Sequence, residues 1–206
     1  RIPASDGSDN SALSVESSAS GLTAVWAKEN TREGIWDALN NKETYATTGS
    51  RIGLRLFAGF DFTAEDVARS DFAERGYAKG VPMGGTLNAD PINAPRFVIR
   101  AQADPQGAFL DRVQVIKLWV DDSGASHEKI YDVAVAGNRT IDTEGRAKEP
   151  VGNTVDVATA SYSNSIGEAV LMAYWRDPKY DPKHHAMYYV RVMEIPTPRW
   201  STKDAV

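Results

Sequence analysis

From Arg96 onward the chain repeats one pattern, a run rich in β-branched and aromatic residues followed by a few residues of turn chemistry. "RFVIRAQA", "RVQVIKLWV", "EKIYDVAV", "NTVDVATA", "AVLMAYW" and "MYYVRVMEI" follow one another, parted by stretches such as "DPQG", "DDSG" and "RDPKYDP". Strands joined by short turns, with no helix between them, have to pair antiparallel, because a parallel pair needs a long crossover. The fold class predicted is therefore mainly β, an antiparallel, immunoglobulin-like β-sandwich. "RIGLRLFAGF" extends it upstream, with Ile52, Leu54 and Leu56 on one face and Arg51 and Arg55 on the other. The sandwich domain is expected over residues 51–206, its strands ending near residue 195.

The first fifty residues follow different rules. Residues 1–20, "RIPASDGSDNSALSVESSAS", are mostly serine, alanine and small polar residues and are read as a flexible lead-in. Residues 21–50 read as one helix and one strand. A capping box of Asn30 and Glu33 opens the helix, Ile35, Trp36 and Leu39 share a face, and Asn40 and Asn41 stop it. "ETYATTG" then runs as a short β-prone segment to Gly49. A helix that returns the chain to a strand is the grammar of an α/β layer. A second helical patch is expected within residues 61–80, capped by Thr63 with Asp66 three residues on.

Composition narrows the function. The net charge of −5 among 206 residues argues against nucleic acid as a partner, which requires a basic face. No apolar run approaches the ~20 residues that span a bilayer. The absence of cysteine removes disulfides, thiolate metal sites and cysteine nucleophiles.

Little chemistry stands out. His184 and His185 are adjacent and should point to opposite faces, and His127 lies in a turn, so no metal ligands are expected. Asp177 and Asp181 in "DPKYDP" read as turn formers rather than a calcium loop. No serine has a histidine partner at a motif spacing, and no catalytic residue is assigned. The best local candidate for contact with an anion or substrate is "TYATTGSR". There Thr47, Thr48 and Arg51 offer two hydroxyls and a guanidinium beside backbone amides. Of the tryptophans, Trp36 and Trp119 fall on faces expected to be buried, and Trp175 ends an apolar strand.

Three long phrases, "GLTAVWAKENTREGIWDALNNKETYATTGSRIGLRLFAGFDF", "RFVIRAQADPQGAFLDRVQVIKLWVDDSGASHEKIYDVA" and "DPKYDPKHHAMYYVRVMEIPTPRWSTKDA", resemble the C-terminal portion of a bacterial family known as domain of unknown function 3604. That resemblance implies a relation to the polymerase and histidinol phosphatase (PHP) superfamily of metal-dependent phosphoesterases. In those proteins a distorted α/β barrel carries histidine and aspartate ligands for divalent metal ions. The phrases holding those ligands, G-D-L-H-x-H and S-D-T-H, are absent from this sequence, so no family ligand transfers to a residue here. The chain is accordingly expected to be a fragment, cut at both ends, with no cofactor of its own and with divalent metals in its full-length parent.

On that reading residues 21–50 are the last helix and strand of an upstream barrel, which becomes the expected partner. The sandwich is then a structural or site-shaping accessory of a metal-dependent hydrolase. The alternative is a β-sandwich module that binds a small molecule, a glycan or a protein partner. A periplasmic or other extracytoplasmic location is expected over a cytoplasmic one.

Overall fold

The computed structural model describes residues 21–206, so the lead-in expected over residues 1–20 lies outside the described residues. The described chain begins with strand β1 (Leu22–Val25), helix α1 (Arg32–Asn40) and strand β2 (Thr44–Thr47), and the two strands pair antiparallel. The cap of α1 differs from expectation by one residue. Thr31, not Asn30, is the N-cap, and its hydroxyl accepts the Gly34 amide at 3.1 Å. The helix ends through a paired closure in which Glu43 N–H donates to Ala38 O and Lys42 N–H to Leu39 O. Lys42 takes the left-handed conformation, φ 60°, that this ending needs, although glycine is its usual occupant.

The expected sandwich is present. It starts with β3 (Gly53–Gly59), a 3₁₀ turn (Ala64–Val67), α2 (Phe72–Lys79) and β4 (Val81–Pro82). β5 (Arg96–Gln102), β6 (Leu110–Val120), β7 (Ser126–Val135), β8 (Val170–Arg176) and β9 (Ala186–Glu194) follow, and α3 (Trp200–Asp204) comes last. One antiparallel sheet has the order β4-β3-β5-β8 and the other β7-β6-β9. Alternation decides what faces the core between them. Leu54 and Ala58 of β3, Phe97, Ile99 and Ala101 of β5, Val113 and Val115 of β6, and Leu171 and Ala173 of β8 form one buried cluster.

The opposite face of β3 and β5 is covered too. Phe57 and Val98 pack with Phe62, Val67 and Phe72 beneath the 3₁₀ turn and α2. That approach is close: a Cβ on Gly76 of α2 would lie 2.2 Å from the Phe57 ring. The turn itself is held as expected, by Thr63 N–H donating to Asp66 Oδ2 at 2.8 Å. Asp66 is buried and meets Arg75 at 2.7 Å and Lys79 at 2.9 Å, both from α2. Burial raises the cost of its charge, but the Thr63 amide and those two cations together hold its carboxyl well below the usual carboxylate range.

Several expectations need correction: residues 21–50 hold two paired strands around α1 rather than one, and a short helix, α3, follows the last sandwich strand. "NTVDVATA" is not a strand; it carries only an isolated bridge between Asp156 and Ser161. The Asp156 carboxylate accepts from the Ala158 amide and the Thr159 hydroxyl at 2.9 and 2.8 Å, so a side-chain turn replaces the ladder. Trp36, expected on a buried face, is 67% exposed, and Ala38 is the buried residue of α1. Trp119 is half-buried near the end of β6, where it stacks on His127 at 5.1 Å.

The β1-α1-β2 unit is fastened to β3 by polar contacts. Trp26 Nε1 donates to Leu54 O and the Tyr45 hydroxyl to Ile52 O, both at 2.8 Å. The Arg55 guanidinium lies 4.3 Å over the Trp26 ring.

Candidate functional site

One sheet has four strands and the other three, so the sandwich is open on one side. There a trough of about 1770 Å³ runs between β9 on one wall and β2, β3 and the residues around β4 on the other. Its interior is mostly apolar: Leu54, Leu56 and Ala58 face Tyr188, Val190 and Val192. These residues are where the core cluster meets the opening, because β9 lacks a neighbour on its far side among the described residues.

One end of the trough is polar. Ser50 Oγ donates to Glu194 Oε2 at 3.0 Å, while Glu194 Oε1 is shielded and makes no hydrogen bond among the described residues. Burial pushes the Glu194 carboxyl above its ordinary value, offset in part by the Ser50 bond. Beside it, Asp104 accepts the amides of Arg51 at 2.7 Å and Gln106 at 3.0 Å. Those two bonds hold the Asp104 carboxyl low.

Of the residues singled out in the sequence, Thr47 and Thr48 line the trough and Arg51 does not. Thr47 Oγ1 accepts the Gly49 amide at 3.3 Å, and the Arg51 amide is turned to Asp104. A ligand at this end therefore meets the Thr47, Thr48 and Ser50 side chains together with the one carboxylate of Glu194.

Behind Tyr188, which lines the trough, lies a buried constellation that sequence reasoning missed. Lys117 Nζ reaches Asp177 Oδ2 and Lys179 O, each at 2.6 Å, and the Tyr188 hydroxyl donates to Asp177 Oδ2 at 2.7 Å. The group joins the two sheets, since Lys117 and Tyr188 come from β6 and β9 while Asp177 follows β8. Burial first, and then the bond to Asp177, drives the Tyr188 phenol far above its usual value, so it stays protonated. Asp177 also accepts the Lys179 amide at 2.9 Å and Asp181 the Lys183 amide at 2.9 Å, which makes both turn formers as read. The available signal was Lys117 itself, which alternation places on the same face as Val113 and Val115.

At the far end, His127 Nε2 lies 2.6 Å from Asp121 Oδ2, and His184 lies 3.9 Å from both Asp122 and Asp181. The Ser123 hydroxyl and His127 keep the Asp121 carboxyl well below its normal range. The donors pair off instead of converging. Among the described residues no three of His, Cys, Asp and Glu gather as a metal site, so these residues do not fit the multi-metal centre implied by the family resemblance.

The fold and trough together define a class, an antiparallel β-sandwich with one open edge, carrying a small strand–helix–strand unit at that opening. The chain belongs to the family described as protein of unknown function (DUF3604), whose model matches residues 3–206. No curated protein and no solved structure matches it. Among the described residues no helix is long and apolar enough to cross a membrane.

Proposed function

We propose that this chain is the C-terminal part of a PHP-like metal-dependent hydrolase of the phosphoesterase class, in which it acts as a structural, site-shaping domain. The observation that carries this reading is the outer face of α1. Ile35, Trp36 and Leu39 are 36%, 67% and 45% exposed, so a nine-residue helix presents three large apolar side chains to solvent. A cluster of this kind marks a contact surface, and an upstream barrel of the same polypeptide is the partner the family resemblance implies. In that arrangement the divalent metals and their ligands belong to the barrel. This chain closes the barrel's last turn through α1 and β2 and sets the sandwich beside its mouth.

The test is hydrogen exchange on α1 in this chain and in a polypeptide extended upstream, with phosphoesterase activity measured on both. The reading expects slower exchange across 32–40 and metal-dependent activity in the longer protein alone. Equal exchange in both overturns it.

The binding-module reading has one observation in its favour, the trough. Its walls suit a polypeptide better than a glycan, because Trp26, Trp119 and Trp175 are half-buried and form no exposed row on which sugar rings could stack.

A further inference from the structure

The trough follows a backbone. Every residue from Lys183 to Thr197 lines it, including both the inward residues Tyr188 and Val190 and the outward residues Met187 and Tyr189. A groove touched by both faces of a strand runs along that strand's edge. A nine-residue strand extends for about 30 Å, and the volume of about 1770 Å³ exceeds the ~300–1,000 Å³ of ordinary small-molecule sites. The space is the size and shape of an extended chain.

The hydrogen bonds show which groups are on offer. Val120 N–H donates to His185 O and Ile195 N–H to Phe109 O, so odd-numbered residues of this stretch bond across to β6. The amides and carbonyls of the even-numbered residues Tyr188, Val190 and Val192 therefore face the trough. Their side chains point into the core, opposite Leu54 and Leu56. A strand added here pairs with β9 and at the same time seals the open side of the sandwich, bringing the three-stranded sheet to the four strands of its partner. Charge narrows the choice further. Lys42 and Lys183 line the trough against the single carboxylate of Glu194, and Arg191 lies at its rim with its guanidinium on Gln114 Oε1 at 2.7 Å.

We propose that β9 is a docking edge for an extended segment of a separate protein, apolar at every second residue and net acidic, which joins the β7-β6-β9 sheet as its fourth strand. This deepens the binding-module reading and is independent of the barrel relation. The chain's own residues 1–20 offer Ile2, Leu13 and Val15 as large aliphatic side chains, too few to fill a groove facing two rows of them. Main-chain bonds supply the affinity in such strand addition, and alternate side chains supply selection.

The test uses the full chain and a labelled peptide of about nine residues that alternates valine with threonine and glutamate. Fluorescence anisotropy measures binding, and amide hydrogen exchange locates it. The proposal expects saturable binding, slowed exchange at Val190 and Val192, and loss of about tenfold or more in affinity when alternate peptide amides are N-methylated, since an edge hydrogen bond is lost at each. A lysine-for-glutamate peptide should bind more weakly. No binding, binding indifferent to N-methylation, or protection elsewhere on the chain overturns the proposal. So does the finding that β9 amides are already protected in the free chain and become exposed on deleting residues 1–20, because the occupant would then be the chain itself.

Discussion

Lys117 and Asp177 form an ion pair between the two sheets, Nζ to Oδ2 at 2.6 Å, with side chains 3% and 0% exposed. The pair is satisfied on every side: Lys179 O takes a second Lys117 proton, and Tyr188 and the Lys179 amide serve Asp177. Removing one member of such a pair leaves a buried charge uncompensated, at a cost of ~3–5 kcal/mol. Lys117→Met should therefore lower the melting temperature by roughly 10 °C for a chain of this size. The double variant with Asp177→Leu should recover part of that loss. Calorimetry of the wild type, both single variants and the double variant decides it. A harmless Lys117→Met would mean the pair does not hold the sheets.

Two tryptophans should respond in opposite ways. Trp36 is 67% exposed on α1 and should tolerate alanine within about 0.5 kcal/mol. Trp119 stacks on His127 and lies 5.2 Å from Lys117 Nζ, so Trp119→Ala loses packing at the rim of the core and should be the more damaging. Urea unfolding of both variants is the measurement. A larger loss at Trp36 would place α1 within the sandwich core.

Glu194 and Asp66 predict opposite pH behaviour. The folded Glu194 carboxyl sits above its ordinary 4.5, so the folded state holds its proton more tightly than the unfolded chain. Its contribution therefore favours folding at low pH and is lost as pH rises through that window. Glu194→Gln keeps an acceptor for Ser50 and should raise stability at neutral pH while flattening this slope. Asp66 is the reverse case. Its folded value lies below 3.8, so it stabilises at neutral pH and that stability disappears as pH falls below 3.8. Asp66→Asn should be destabilised at pH 7 and show a shallower acid limb. Chemical unfolding across pH 3–8 checks both, and parallel slopes for either variant and the wild type would refute the assignment.

Gly76 is a spacing residue. Its added methyl would press on the Phe57 ring at 2.2–2.4 Å, with Phe72 stacked edge-on to Phe57 at 5.5 Å behind it. Overpacking of this kind costs ~1–3 kcal/mol, so Gly76→Ala should destabilise the fold although alanine favours helix. Adding Phe57→Leu should relieve part of the penalty. An additive double variant, measured by thermal unfolding, would show that the helix simply moves aside.

Local pattern was legible where one face of an element is buried and the other is not. Leu54 and Leu56 alternate with Arg55 because the first half of β3 has one face on the core, whereas from Phe57 onward α2 covers the other face too, and Thr63 and Asp66 lie at the spacing a helical start requires. The same pattern misled where a side chain competes with the backbone. Asp156 and Thr159 look like strand residues in "NTVDVATA", yet their side chains close a turn that no alternation rule detects. Trp36 has helical spacing with Ile35 and Leu39, but spacing identifies an apolar face and not what that face touches.

The candidate site was visible only in pieces. Thr47 and Thr48 were marked by their hydroxyls, and they line the trough. Glu194, Lys117 and Asp177 gave little notice, because their environment is assembled from residues 144 and 60 positions apart in the chain.

By itself the sequence determined the antiparallel class, the approximate positions of the first two helices and the family, since these depend on short-range alternation, turn chemistry and long matching phrases. Only the tertiary structure decided that the strands divide four against three. That division leaves β9 with no neighbour on its far side among the described residues, opens the trough beside it, and sets a lysine of β6 and an aspartate that follows β8 within one hydrogen bond. Strand order depends on which edges meet across long stretches of chain, and no local pattern of residues records it.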